Sequence, residues 1–486
     1  MALILKIFAL IVLMDQVKSD VSKNRTPFCE TCSCVNETLI NPDVNCSSAL
    51  VLSKLYQEEM WFEKNNNISL MYNINSIDLS NLNMRELNDK FNKSNLKKMD
   101  LSRNGIEKIS ANVFENLQDM VELILSYNDI NFLDENVFKG LHLDGFDYPL
   151  ISLKILRLDH NNFHTLKIDV FQHIEMTLEE LYLGGNPFKV LDQPSLTAIT
   201  GIQRLKVLDL SSCGLQNLPQ YFLHTPAYLV KLDLSLNQIE SIPETLIDSK
   251  RLEELIIDGN PIKNLTSKNG FPITKTLKVL KMSNMPNLIE IGANSLGNLI
   301  NLEELFIKNN NKLIKIDEKA LVREEVETSI WPNLKKLDLS DNKLTHLNFT
   351  FLGRWESLTS LDLRGNPWTC ECENQWMLDE LIPIYLQLDP IGAKEIRCGA
   401  PIEMEKYKFF DLYASKSSMR CLDIYGNHPE KDGTMLVGML IGILLGIPCV
   451  LFALYAYQRN WFGVFDKSPA AYSRQFYRAP SLNEEF

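Results

Sequence analysis

The stretch LKKLDLSDNKL, from Leu334 to Leu344, places apolar residues at Leu334, Leu337, Leu339 and Leu344 and an asparagine at Asn342. Leu337 and Leu339 alternate to one side of a short strand, and Leu344 turns the chain back beneath whatever follows. The same spacing recurs with first positions at Ile74, Leu96, Met120, Leu153, Leu178, Leu205, Leu229, Leu252, Leu277, Leu302, Leu334 and Leu358, mostly 22 to 27 residues apart; these begin coils 1 to 12. One coil cannot bury its apolar face alone. Stacking about twelve side by side makes a parallel sheet along one edge and a continuous core behind it. The slot after each strand holds asparagine at positions 104, 128, 161, 186, 237, 260, 310, 342 and 366. An amide there both donates and accepts, and so can satisfy turn backbone groups of the neighbouring coil. Cys213 takes one of the remaining slots and reads as inward-facing; Leu82 and Met285 depart from the rule.

This period and pattern resemble the leucine-rich repeat. The resemblance implies an α/β repeat solenoid, a leucine-rich-repeat horseshoe with a parallel concave sheet. Two apolar segments place it. Met1 to Lys6 gives a positive start, Ile7 to Met14 is uncharged and apolar, and Val17 with Ser19 offers a small-residue cleavage site, so residues 1–19 read as a secretory signal peptide. Met435 to Tyr457 is uncharged. At ~1.5 Å rise per residue it reaches about 34 Å, enough to cross a hydrocarbon core of about 30 Å. Arg459, Lys467, Arg474 and Arg478 follow the span, whereas Glu430, Lys431 and Asp432 precede it. A single-pass type I protein of the plasma membrane is expected, with the repeats extracellular. The tail 458–486 is too short for a signalling domain of its own.

The ten cysteines follow that layout. Cys29, Cys32, Cys34 and Cys46 precede the repeats, Cys370, Cys372, Cys398 and Cys421 follow them, and Cys213 and Cys449 stand apart. Even-numbered clusters at both ends of an exported solenoid read as disulfide-bonded caps that shield the terminal coils, with three pairings open to each quartet. The run Asn366-Pro367-Trp368-Thr369-Cys370-Glu371-Cys372, with Trp376, Cys398 and Cys421, resembles the C-terminal cysteine cap of animal extracellular leucine-rich-repeat proteins, and the front quartet resembles their N-terminal cap. The resemblance implies Cys29 with Cys34, Cys32 with Cys46, Cys370 with Cys398 and Cys372 with Cys421. Ser47 to Asn73 is a long insertion that departs from the pattern. Single-pass adhesion and recognition proteins such as the insect tartan, capricious and connectin are similar in layout. The domains expected are then a cap and pre-repeat segment at 20–73, repeats at 74–368, a second cap at 369–422, a juxtamembrane stretch at 423–434 and the span at 435–457. Asn-x-Ser/Thr sequons at Asn24, Asn36, Asn67, Asn92, Asn264 and Asn348 fit a glycosylated exterior, and Asn45, beside Cys46, is the poorest acceptor.

No catalytic constellation assembles from this chain. It has no H-E-x-x-H, G-x-S-x-G, phosphate loop or dinucleotide fingerprint, so no enzyme activity, cofactor or metal site is expected. His160 and His164 have metal-like spacing but straddle a repeat turn. With 49 basic against 62 acidic residues the net charge is −13, which argues against a nucleic-acid partner.

The residue between the paired strand leucines points out of the concave face. It is aspartate at Asp78, Asp100, Asp209, Asp233, Asp338 and Asp362, but Ile124, Arg157 and Tyr182 in coils 3 to 5, and Ile256, Lys281 and Phe306 in coils 8 to 10. With Tyr127 and His160 beside the first run, these form apolar or aromatic patches flanked by charge, the mixture expected at binding hot spots. Gly438, Gly442 and Gly446 share one face of the span, where another helix could pack and make a homodimer. The sequence therefore reads as a cell-surface adhesion or recognition protein that binds a protein ligand, a cell-surface protein or itself. The alternative is a receptor or co-receptor for a soluble ligand, innate immune recognition included, that signals through an associated chain.

Overall fold

The computed structural model describes residues 26–35, 41–47, 54–65, 68–326, 328–405, 407–420 and 429–459. The chain folds as two units, Met1–Ser418 and Met419–Phe486. In the first, twelve three-residue strands, one per coil from Ser76–Asp78 to Ser360–Asp362, line up in parallel and are joined by about eleven turns. The strand Asp43–Asn45 extends the sheet at its front, and Ser33–Val35 closes it antiparallel. Registers are residue for residue, Leu123 opposite Leu156 and Leu156 opposite Leu181, so the middle leucine of every strand points into one core. Away from the main sheet the described residues are mostly turns, with an eight-residue helix at Gln193–Thr200 and short parallel pairings such as Asn264–Leu265 with Glu290–Ile291. Coils that return in so few residues leave no room for a long helix each.

Asparagine holds neighbouring coils together. Asn128 is typical: Nδ2 donates to the carbonyls of Leu101 (3.0 Å) and Leu125 (2.9 Å), while Oδ1 accepts from the backbone N–H groups of Asn104 (2.9 Å) and Ile106 (3.0 Å). All nine slot asparagines are buried. Cys213 imitates part of this, donating its thiol to the Leu183 carbonyl at 3.4 Å; burial pushes that thiol up to about 12, which makes it an inert filler of the slot. Leu82 needs no amide because no repeat coil precedes it, and its own N–H donates to Asn104 Oδ1 at 2.7 Å.

Both ends are stapled. Cys29 is bonded to Cys34, Cys32 to Cys46 and Cys370 to Cys398; Cys372 is also disulfide-bonded, and Cys421 lies outside the described residues. Part of the Ser47 to Asn73 insertion is a short helix, Glu58–Trp61, and a hairpin, Phe62–Asn65 with Ile68–Met71. Trp61 packs edge-on against Phe28 at 5.0 Å and donates its indole N–H to the Leu55 carbonyl, so the insertion belongs to the front cap. The two longest coils carry hairpins, Lys139–Leu143 with Phe146–Pro149 in coil 3 and Arg323–Glu324 with Ser329–Ile330 in coil 10.

Among its described residues the second unit contains one helix, Pro429–Gln458, within which Met435–Gln458 is long and apolar enough to cross a membrane. It starts before the span and takes in part of the expected juxtamembrane stretch. A Cβ added at Gly438, Gly442 or Gly446 would meet nothing within 4 Å. The signal peptide and the tail beyond Arg459 lie outside the described residues, as do Asn24, Asn36 and Asn67.

Candidate functional site: the concave edge of coils 2 to 5

In every coil the residue just before the slot has a positive φ, from Asn81 at 59° through Arg103, Tyr127 and His160 at 57°, 56° and 53° to Gly365 at 71°. A side chain in this left-handed conformation costs of order 1 kcal/mol. The compensation is that the backbone N–H reaches the next coil: Arg103 to the Ser126 carbonyl, Tyr127 to Asp159 and His160 to Gly184, at 2.7 to 3.1 Å. Backbone geometry thus fixes these side chains in a row, one per coil, independently of their type.

In coils 2 to 4 that row is a continuous stack. The Arg103 guanidinium lies 4.2 Å from the centre of the Tyr127 ring, and Tyr127 stacks on His160 with centroids 4.2 Å apart and planes 14° from parallel. The His160 ring occupies the space a Cβ would need on Gly185, so glycine in coil 5 admits the end of the stack. Tyr127 is 44% exposed. Arg103, Tyr127 and His160 show no ion pair and no side-chain hydrogen bond among the described residues.

A second row runs beside the first. Ile124, Arg157 and Tyr182 are direct register partners. The Arg157 guanidinium sits 4.0 Å from the Tyr182 ring centre, and its Nε lies 3.4 Å from Glu122. Tyr182 donates its hydroxyl to Glu180 at 2.7 Å; burial first, and that acceptor second, push the phenol up to about 12, so it stays neutral. Ile124, Tyr127, Arg157, His160 and Tyr182, all singled out in the sequence, come together here. Arg103 joins them although the sequence reading passed over it. The signal was available: Arg103 stands one residue before its slot, as Tyr127 and His160 do.

The second run differs from its expectation. Lys281 lies 6.0 Å from the Phe306 ring, but Ile256 is only 8% exposed. Lys281, its register partner, reaches back 2.8 Å to Glu254 on the same strand as Ile256, and the lysine stem therefore runs alongside Ile256. Coils 8 to 10 consequently offer no exposed triplet. His164 turns its Nδ1 to the Asn162 carbonyl at 3.0 Å, whereas His160 stacks on Tyr127, so the two histidines face different partners.

Coils 7 and 8 carry the half-buried carboxylates Asp233 and Asp258. Burial raises Asp233 above the ordinary carboxylate range despite hydrogen bonds from Ser235, and Asp209 adds to the rise; burial raises Asp258 likewise, with Asp233 contributing. A carboxyl that binds its proton more tightly when folded contributes stability that is full below its unfolded pKa of about 3.9 and is lost as pH rises through the higher folded value. Asp233→Asn keeps an acceptor for the Ser235 N–H, 2.9 Å away, and removes the charge. The variant is expected to melt higher than the wild type at pH 7, with the difference disappearing at pH 3.5. A lower melting temperature at pH 7 would contradict this.

Comparison with known proteins accords with the geometry. The family pattern described as Leucine rich repeat matches residues 94–144 and 203–262, and a second pattern of the same description matches 333–355. Those segments match the leucine-rich-repeat pattern, and the remaining coils of the solenoid share its spacing and strand register. Human Toll-like receptor 2 is 30% identical over 146 residues, which cover 30% of this chain and 16% of the receptor, so the chain matches a small part of that relative's length. Tsukushi of Gallus gallus is 25% identical over 294 residues, covering 60% of this chain and 67% of that protein. Among solved structures, the octameric complex of Latrophilin 3, Unc5D and FLRT2 aligns with 71% of this chain and 90% of the matched chain at 21% identity and a TM-score of 0.46. The leucine-rich-repeat relatives and the terminal disulfides fit a secreted or cell-surface protein.

Proposed function

We propose that this leucine-rich-repeat chain is a single-pass cell-surface adhesion and recognition protein that binds a protein partner through the concave edge of coils 2 to 5. Met435–Gln458 serves as its anchor, and glycans occupy exposed sequons such as Asn264 and Asn348. The observation that carries the reading is the Arg103, Tyr127 and His160 stack. Other charged groups across the sheet face are paired with one another, as Lys98 with Glu122, Lys231 with Glu254, and Lys336 with Glu304. The stack presents a guanidinium, a phenol and an imidazole that are rigidly positioned and lack side-chain polar partners of their own. Preformed aromatic and arginine groups of this kind lose little conformational freedom when a partner covers them. The resemblance of the sequence layout to that of tartan, capricious and connectin favours adhesion.

Replacing Arg157 with Asp and Tyr182 with Ala together breaks the rigid pair beside the stack while leaving the core leucines untouched. Loss of one hot spot of about 2 kcal/mol weakens binding about 30-fold. Cells expressing the variant, mixed with labelled wild-type and non-expressing cells, should no longer cluster, while surface display is unchanged. Clustering equal to wild type would remove this edge as the binding surface. The same mixture tests the receptor reading, which the similarity to Toll-like receptor 2 favours: a receptor for a soluble ligand leaves wild-type cells dispersed and captures a secreted factor instead.

A further inference from the structure

The lateral edge where the chain enters the strands carries a second feature. Counting back one residue from the first position of coils 6, 7 and 8 gives Arg204, Tyr228 and Arg251, one per coil. Neighbouring coils are about 4.8 Å apart, so the two arginines flank the tyrosine with about 10 Å between them. The Arg251 guanidinium lies 5.0 Å from the Tyr228 ring centre, and Tyr228 is 47% exposed. Arg204, Tyr228, Gln203, Met176 and the Lys206–Glu179 ion pair line a shallow cavity of about 460 Å³ on this edge, so Arg204 is the cation there without a carboxylate partner. Further along the same edge a second cavity, of about 450 Å³, is lined by Lys275, Asn301 and Lys278 and by Glu253 and Glu303, whose carboxylates are held by Lys278 and Lys335, with Lys250 and Arg251 in the coil between.

The charges here contrast with those beside them. Slightly further into their coils, Lys206 is held by Glu179 at 2.6 Å and Lys278 by Glu253 at 2.9 Å. Arg204, Lys250 and Arg251 have no carboxylate within ion-pair distance among the described residues. In a chain of net charge −13, a row of unpaired cations beside an exposed aromatic ring marks a site for an anion.

We infer that this edge of coils 5 to 8 is a binding track for a sulfated polysaccharide; the inference rests on the extracellular placement proposed above but not on the concave-edge partner. Guanidinium groups take sulfate oxygens in pairs, the open face of Tyr228 offers a platform for the C–H face of a sugar ring, and Gln203 supplies both a donor and an acceptor for hydroxyls. Two cavities in line along one edge suit a linear polymer. An acidic polypeptide fits less well because it would find no main chain to pair with. The N–H groups of Lys206 and Val207 both donate to Glu179, those of Val230 and Lys231 to Lys206, and those of Glu253 and Glu254 to Val230.

The test is binding of the detergent-solubilised full chain to immobilised heparin near physiological salt. Wild type should bind, and Arg204→Ala with Arg251→Ala should bind at least tenfold more weakly, with a shallower dependence of log affinity on log salt because two fewer counterions are displaced. Tyr228→Ala, which removes no charge, should weaken binding several-fold with the salt slope unchanged. The concave variant Arg157→Asp with Tyr182→Ala should bind heparin as wild type does, which separates failure here from failure of the adhesion reading. The inference is overturned if wild type does not bind, if the double arginine variant binds equally, or if desulfated heparin or a polyglutamate peptide competes as well as heparin. Far-UV circular dichroism checks that each variant is folded.

Discussion

Asn128→Leu is expected to destabilise the solenoid by about 3 kcal/mol, with the damage confined at first to coils 2 and 3. Leucine has the same branched outline and number of side-chain heavy atoms as asparagine but is bulkier, so some crowding of the slot adds to the polar loss. Two carbonyls lose a donor, yet each keeps another: the Leu101 carbonyl retains Asn104 Nδ2 at 2.9 Å and the Leu125 carbonyl retains Asn161 Nδ2 at 2.9 Å. The backbone N–H groups of Asn104 and Ile106 have no such reserve, because their acceptor is Asn128 Oδ1. Each buried donor left unpaired costs about 1 to 3 kcal/mol, and the two together set the size of the effect. The site is 6% exposed, so water does not readily replace the amide. Denaturant unfolding of the solubilised chain measures the total, and hydrogen exchange should accelerate earliest at Asn104 and Ile106. A loss under 1 kcal/mol, or exchange that rises evenly along the solenoid, would contradict this account of the slot.

That asparagine was legible in the sequence because its place is dictated by the backbone of the neighbouring coil, and few side chains meet the demand. The leucines were legible for a similar reason: every middle strand residue from Ile77 to Leu361 must enter one core, so composition is constrained at fixed intervals. The position before the slot is different. Its φ is fixed but its side chain is free, and arginine, tyrosine, histidine, leucine and glycine all occur there, at Arg103, Tyr127, His160, Leu236 and Gly185. Only alignment across coils shows that Arg103 joins Tyr127, 24 residues later in the chain. Ile256 shows the converse limit. Its outward direction follows from strand alternation, but it is 8% exposed beside Lys281, which reaches back to Glu254 in a contact between coils that spacing does not encode. The Arg204, Tyr228 and Arg251 row escaped notice because it lies before the strand, where the repeat places no demand on residue type.

Replacing both Cys370 and Cys398 with alanine is expected to cost about 3.5 kcal/mol and to make the solenoid unravel from its last coil. The bond closes a segment with a sequence separation of 28, for which the chain-entropy relation gives that magnitude. It ties the strand Trp368–Thr369 to Cys398–Ala400, and the cap so formed covers the end of coil 12. Trp368 is fully buried there and donates its indole N–H to the Leu363 carbonyl at 2.9 Å, taking the place a thirteenth coil would fill. In a structure where each coil touches only its neighbours, loss of a cap lowers stability locally before it propagates. Exchange protection should therefore fall first in coils 11 and 12, the opposite end from the Asn128→Leu effect, while the front coils hold. Cys372 remains disulfide-bonded, so the cap stays attached and the measurement reports the one bond removed. A melting temperature equal to wild type, or loss of protection starting at coils 1 to 3, would show that the end cover is supplied by Trp368 and its neighbours without help from the disulfide.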